Sequence, residues 1–294
     1  MRTESPTSCT HAASTFRAFR FGAIDPSVRI TPEGVVMATN TPLGPAWVAA
    51  DPTGSVVTGG PGASFAAQRQ PDPAGCRDRF QSLSPAHPVI DHLQRLFAPV
   101  RIGSSGDVYK ASLTATLGQR ITAAEAVNQW ARLCRSMSTS IDTPFGPLLA
   151  PPDSCQLAGT FPHQLHTLGI EESRARTLIG VAKVFARPGA HQVDPAWALR
   201  RLRAEVPRFG PWTEALVEAE ALGNPDAVAV GDFHLKNVVA HALCGKPRGT
   251  DDEMLAALQP YAGQRGRVLL WLALGGIAAP KFGPRRRNID IRRF

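Results

Sequence analysis

Residues 199–239 read LRRLRAEVPRFGPWTEALVEAEALGNPDAVAVGDFHLKNVV. Two stretches with helical spacing of apolar residues, 197–206 and 212–222, flank the segment Val206-Pro207-Arg208-Phe209-Gly210. A connection this short permits only a tight helical hairpin. Such a turn exposes backbone N–H groups at the start of the second helix, where they can hold a phosphate; an ordinary packing hairpin fits the same residues. Asp232 follows Gly231 and opens a further helical stretch, 233–243, whose apolar face takes in Phe233, Val238, Val239 and Leu243. A short acceptor side chain in that place serves as an N-cap. It also presents a carboxylate at the edge of a cleft, and the two roles are compatible.

Outward from this segment the chain stays helical. Residues 121–137 repeat apolar residues at three and four spacing, with Thr122 as N-cap and Glu125 three residues on. Residues 171–185 carry Ala175, Leu178, Ile179, Ala182 and Phe185 on one stripe, and 251–258 and 265–274 complete the set. Upstream of His87 the texture changes to short β-branched runs, 27–30, 34–37 and 46–49, separated by Pro32-Glu33-Gly34 and Asp51-Pro52-Thr53-Gly54. These predict a small antiparallel sheet. Residues 66–86 carry Pro, Gly and charge without periodicity and predict a linker or long loop. The fold class is therefore α+β, a mainly helical domain preceded by a small β element. The expected divisions are a disordered tail (1–15, with a targeting peptide as the alternative), a β domain plus linker (16–87), the helical domain (88–280) and a basic tail (281–294).

Composition narrows the function. The chain has 294 residues, 43% of them hydrophobic, enough for a sizeable core. Five cysteines (9, 76, 134, 155, 244) show no CxxC spacing, which excludes a zinc ribbon and fits a reducing compartment. The longest apolar run, 268–274, ends at Gly275-Gly276 and is far shorter than the ~20 residues a bilayer span needs. A soluble intracellular protein, cytoplasmic and nucleoid-associated in a bacterium, is expected. His163 with His166, and His241 with Cys244, lack a second matching pair nearby, so no metal is expected, and no glycine-rich nucleotide loop predicts a cofactor. Net charge is +8, and all the basic residues except five lysines are arginine, the side chain suited to forked phosphate contacts. Residues 281–294 alone contribute +5, leaving +3 for the first 280. That tail reads either as a solvated end or as an arm along a polyanion.

The hairpin, Thr213 and an Asp nineteen positions beyond it together resemble the helix-hairpin-helix DNA glycosylases, nearest their 3-methyladenine branch. The segments 113–122 (LTATLGQRIT), 165–170 (LHTLGI) with 173–178 (SRARTL), and 260–268 (Pro260-Tyr261 with Arg265-Gly266-Arg267-Val268) extend the resemblance over roughly residues 88–284. It implies a DNA glycosylase of base excision repair, monomeric, acting on double-stranded DNA that contains damaged bases. The same resemblance assigns Asp232 as the catalytic carboxylate. It places Trp212 where the lyase-active relatives carry a lysine, which implies a monofunctional enzyme with an indole at the base pocket, unless Trp212 is simply helix core. Pro207, Arg208, Phe209, Gly210 and Thr213 of the hairpin, with Gln119 and Arg120, are the implied DNA-binding residues. Two departures stand out. The hairpin usually reads Pro-Gly-hydrophobic-Gly, and Arg208 replaces the first Gly. Arg120 stands where the alkylbase branch has an apolar wedge, and it can stack there, contact a phosphate, or be a solvated charge. The departures leave a second reading, a non-catalytic DNA-binding or damage-sensing protein on the same fold.

Overall fold

The structure, a computed structural model, describes residues 6–84, 87–187, 194–280 and 292. The first five residues, and the basic tail 281–294 apart from Arg292, lie outside the described residues. No described helix is long and apolar enough to cross a membrane.

Helix α1 (Pro6–Phe16) replaces most of the expected disordered tail. Its own composition is poor in large apolar residues, but Phe16 and, just beyond it, Phe19 are each only 1% exposed and pack on the sheet. The Thr15 hydroxyl also accepts the Arg101 N–H at 3.1 Å. The sheet is a four-stranded antiparallel meander, β1 (Val28–Thr31), β2 (Gly34–Thr41), β3 (Gly44–Ala50) and β4 (Val56–Gly59), in that spatial order. Strand β4 lay unrecognised in the sequence, and its register pairs Ala49 with Val57. Side chains alternate between two faces. Val35 and Met37 join Ala46, Val48 and the phenylalanines on one side, while Val36 and Ala38 join Ile141, Leu148 and Ala150 on the other. Helix α2 (Ala63–Gln68) opens the stretch read as linker.

The helical part begins with α3 (Pro88–Phe97), α4 (Val108–Leu117) and α5 (Ala123–Met137). A two-stranded ribbon follows, β5 (Ser140–Ile141) with β6 (Leu148–Leu149), and covers the second face of the sheet. Then come α6 (Ser154–Ala158), α7 (Pro162–His166), α8 (Glu172–Phe185), α9 (Pro195–Glu205) and α10 (Pro211–Val217). Helix α10 runs on as a π-helical turn over Glu218–Leu222. The chain ends in α11 (Leu235–Cys244), α12 (Asp251–Leu258) and α13 (Arg265–Leu274).

Two separate helical cores form. One joins α4, α5, α8, α9 and α10 around Leu113, Trp130, Leu178, Leu202 and Val217. The other joins α3 to α11, α12 and α13 around Ile90, Met254, Val268 and Trp271. The chain crosses from the first to the second between the π-helical turn and α11, and Asp232 lies on that crossing. Buried polar contacts lock the sheet to the first core. Thr39 Oγ1 donates to Asp107 Oδ2 at 2.5 Å, and Trp130 Nε1 to Asp25 Oδ1 at 2.8 Å. Lys110 Nζ donates to the Phe19 carbonyl at 2.9 Å and to Glu220 Oε1 at 2.8 Å.

Candidate active site

The hairpin is formed as expected, with α9 and α10 joined through residues 206–210. Pro211 starts α10 at the position where a missing N–H costs nothing. Arg203 and Glu214 pair across the hairpin at 2.6 Å. The turn residues divide by direction. Pro207 and Arg208 are exposed, whereas Phe209 and Thr213 are only 3% and 2% exposed. Phe209 packs in the first helical core, and its N–H donates to the Val206 carbonyl at 3.1 Å. The side chains of these two expected DNA-binding residues therefore face inward, Phe209 as the apolar anchor of the turn and Thr213 from the first turn of α10, where its hydroxyl is met by Gln119. Gly210 is extended (φ −90°, ψ −178°), and a Cβ there meets nothing within 4 Å, so its place in the turn does not depend on glycine. The left-handed position is Arg208 instead, at φ +68°.

Gln119 joins the end of α4 to this turn. Its Nε2 donates to Thr213 Oγ1 at 2.9 Å and to the Arg208 carbonyl at 3.2 Å. Arg120 is exposed and also left-handed, at φ +58°. The Arg208 guanidinium donates to Ser173 Oγ, and Thr177 Oγ1 to the Pro207 carbonyl at 3.4 Å. Four of the expected DNA-facing residues, Gln119, Arg120, Pro207 and Arg208, thus lie on linked segments, the α4–α5 loop and the hairpin, with the start of α8 beside them.

Asp232 is three residues ahead of the first helical residue of α11, so the helix starts later than the sequence predicted. It still acts as a cap: Oδ1 accepts the N–H groups of His234 and Leu235 at 2.8 and 2.9 Å. The other oxygen, Oδ2, accepts Trp212 Nε1–H at 2.9 Å. Trp212, in the first turn of α10, thus meets the carboxylate from across the seam between the two cores. Its ring lies over Gly118, where a Cβ would stand 3.3 Å from the indole edge. Phe233, expected on the apolar face of α11, is 69% exposed and meets the His234 ring edge-on at 5.0 Å. The late start of the helix turns this position out of its apolar stripe. Among the described residues, no group of three or more His, Cys, Asp or Glu is placed to hold a metal ion.

Lys110, behind the site and 2% exposed, pairs with Glu220 of the π-helical turn. Burial alone would push the ammonium down, but the Glu220 and Asp25 carboxylates outweigh it and hold Lys110 above its ordinary value. Sequence reasoning missed three residues around the Asp232 turn, namely Lys236, Asn237 and Asp251. Their spacing carries no motif, and the fold alone brings them together.

No protein-family model matches the sequence, and no curated protein matches it. Solved structures do match. A 3-methyladenine DNA glycosylase from Archaeoglobus fulgidus is 15% identical, with a TM-score of 0.67, over 89% of this chain and 93% of that one. The 3-methyladenine DNA glycosylase Mag1 of Schizosaccharomyces pombe, solved with abasic DNA, is 14% identical over 68% and 97%, with a TM-score of 0.53. An 8-oxoguanine glycosylase/lyase from Clostridium acetobutylicum is 9% identical over 85% and 99%, with a TM-score of 0.51. The chain has the fold of the helix-hairpin-helix DNA glycosylases. Its α+β arrangement, a four-stranded sheet followed by helices, matches a 3-methyladenine glycosylase over nearly the whole of both chains.

Proposed function

We propose that this protein is a monofunctional DNA glycosylase that removes alkylated bases from duplex DNA. The observation that carries this reading is the Asp232 carboxylate, bonded to the Trp212 indole beside a hairpin whose exposed residues include Arg208. A base inside a duplex is out of reach, so the target nucleotide is flipped out at a cost of a few kcal/mol. Alkylation at a ring nitrogen makes the base cationic. When the N-glycosidic bond breaks, the base takes the bonding pair and leaves neutral, and positive charge remains on the sugar. A fixed carboxylate stabilises that oxocarbenium-like charge, and the water that adds at C1′ passes its extra proton through that carboxylate to solvent, leaving neutral free base and an abasic sugar. Trp212 takes the position at which the resemblance puts the lyase lysine, and Lys236 near the Asp232 turn is engaged by Asp251, so the expected product is an abasic site and not a cleaved strand. The indole face also attracts a cationic base. Arg120 and Arg208 contact phosphate or stack where the base has left.

The test is a single-turnover assay on a duplex carrying 7-methylguanine or 3-methyladenine. Asp232→Asn is expected to lose on the order of 10²–10⁴-fold in excision rate while holding duplex affinity within a few-fold. Full excision by Asp232→Asn sinks the assignment, and a borohydride-trapped adduct with the wild type overturns the monofunctional reading. One observation favours a second reading. The two oxygens of Asp232 already accept three donors, which suffices for a purely structural cap on a non-catalytic DNA-binding protein. Binding to the alkylated duplex without release of free base would select it.

A further inference from the structure

The residues on both sides of Asp232, Gly231 and Phe233, are held from α11 and from the segment that opens α12. Upstream, the Gly231 N–H donates to Oδ1 of Asp251 at 3.0 Å, with Gly231 at φ +88°. The other oxygen of Asp251 meets Lys236 Nζ at 3.2 Å, and both side chains are more than two-thirds buried. Downstream, the Phe233 carbonyl accepts Asn237 Nδ2–H at 2.9 Å, while Asn237 Oδ1 accepts the Gly249 N–H at 3.1 Å. Capping does not require these bonds. Asp232 itself serves the first amides of α11, and α12 has a complete capping box between Thr250 and Glu253. The side chains of Asp251 and Asn237 are therefore spent on the turn that carries the carboxylate.

We infer that Asp251 and Asn237 are positioning residues for Asp232, an inference that rests on the reading of Asp232 as the catalyst. They hold the residues before and after it, Gly231 at its N–H and Phe233 at its carbonyl, so that the carboxylate is set by three elements, α10 through Trp212, α11 through Asn237 and α12 through Asp251. A displacement of ~1 Å at a reacting group costs about 10²-fold in rate, which is why such a turn is held at both ends.

The experiment uses the full chain and single turnover at saturating duplex containing 7-methylguanine. Affinity for undamaged duplex and thermal midpoint are measured alongside. Asp251→Ala and Asn237→Ala are each expected to slow excision by roughly 10- to 100-fold with duplex affinity within twofold of wild type. Asp251→Asn keeps a side-chain acceptor for the Gly231 N–H and is expected to recover most of the loss. Rates within twofold of wild type for folded Asp251→Ala and Asn237→Ala overturn the inference, and a dead Asp232→Asn in the same assay leaves the glycosylase reading standing. An Asp251→Asn loss equal to that of Asp251→Ala overturns the hydrogen-bond route. If Asp251→Ala does not fold, Asn237→Ala decides. A wild type that releases no base removes the reading and the inference with it.

Discussion

Arg208 and Gly231 both lie in the left-handed region of backbone space, at φ +68° and +88°. Only the glycine is at ease there, since an L-residue with a Cβ pays roughly 1–2 kcal/mol for that conformation. The strain at Arg208 persists because its side chain reaches Ser173 and its carbonyl accepts from Gln119. Arg208→Gly is therefore expected to stabilise the protein by roughly 0.5–1 kcal/mol, the relief being partly offset by the extra freedom of glycine in the unfolded chain. It is also expected to weaken duplex binding and reduce the slope of log affinity against log salt by about one. Urea unfolding and a salt titration measure the two. Unchanged stability together with an unchanged slope would show that position 208 neither stores strain nor meets phosphate. The Arg208 departure noted in the sequence thus has a geometric meaning: the turn needs a left-handed residue at that position, and this chain places a cation there.

At the scale of elements, the π-helical turn Glu218–Leu222 connects the hairpin to the crossing that carries Asp232. It is fastened twice. The carbonyls of Glu220 and Ala221 accept the N–H groups of Ser105 and Gly106, each at 3.0 Å, and the Glu220 carboxylate pairs with Lys110. Removing one partner of a buried pair strands the other, a loss of about 3–5 kcal/mol, whereas replacing both by apolar groups of similar volume is close to neutral. Lys110→Met is expected to destabilise by that amount, and Lys110→Met combined with Glu220→Leu is expected to regain most of it. Equal urea midpoints for Lys110→Met and wild type would contradict the role of the pair. Helix α4 shows why part of this design was hidden in the sequence. All ten of its residues are buried, so it has no polar face to produce a helical period. Ser112 donates to the Val108 carbonyl at 2.6 Å and Tyr109 to the Pro152 carbonyl at 3.0 Å, while the buried Thr116 hydroxyl has no partner among the described residues.

Across the whole molecule, the second helical core is tied to the rest through carboxylate–arginine pairs. The Arg265 hydrogen bond, with further backbone donors, holds Asp226 below the ordinary carboxylate range against a smaller opposing effect of burial. At Asp78 burial pushes upward, and pairing with Arg267 together with the Ile102 N–H outweighs it, so Asp78 is also lowered. A lowered carboxylate contributes stability that is complete above its unfolded value, near 4, and is lost as pH falls through the folded value. Urea midpoints are thus expected to be similar at pH 7 and pH 5 and to drop at pH 3, with Asp226→Asn showing a smaller drop. A wild-type midpoint that holds from pH 5 to pH 3 would contradict this. Arg267 itself is fully buried and lies over the Phe80 ring at 4.2 Å. This pins the loop before α3 to the final helix.

The amino-acid sequence by itself determined the α+β class, the hairpin, most of the amphipathic helices and Asp232 as a capping carboxylate ahead of α11. Each rests on local chemistry: apolar spacing, a short turn, a capping carboxylate. The ordered α1, the edge strand β4 and the buried α4 were beyond it, because their stability comes from faces supplied by distant residues. The proposed site was named as a pair of residues by the family resemblance and not as a geometry. The bond from Trp212 to Asp232, the inward turn of Phe209 and Thr213, and the hold of Asp251 and Asn237 on the Asp232 turn all join residues through packed helices. Only the tertiary structure decides these, since a hydrogen bond between side chains on different elements depends on distances that local sequence does not encode.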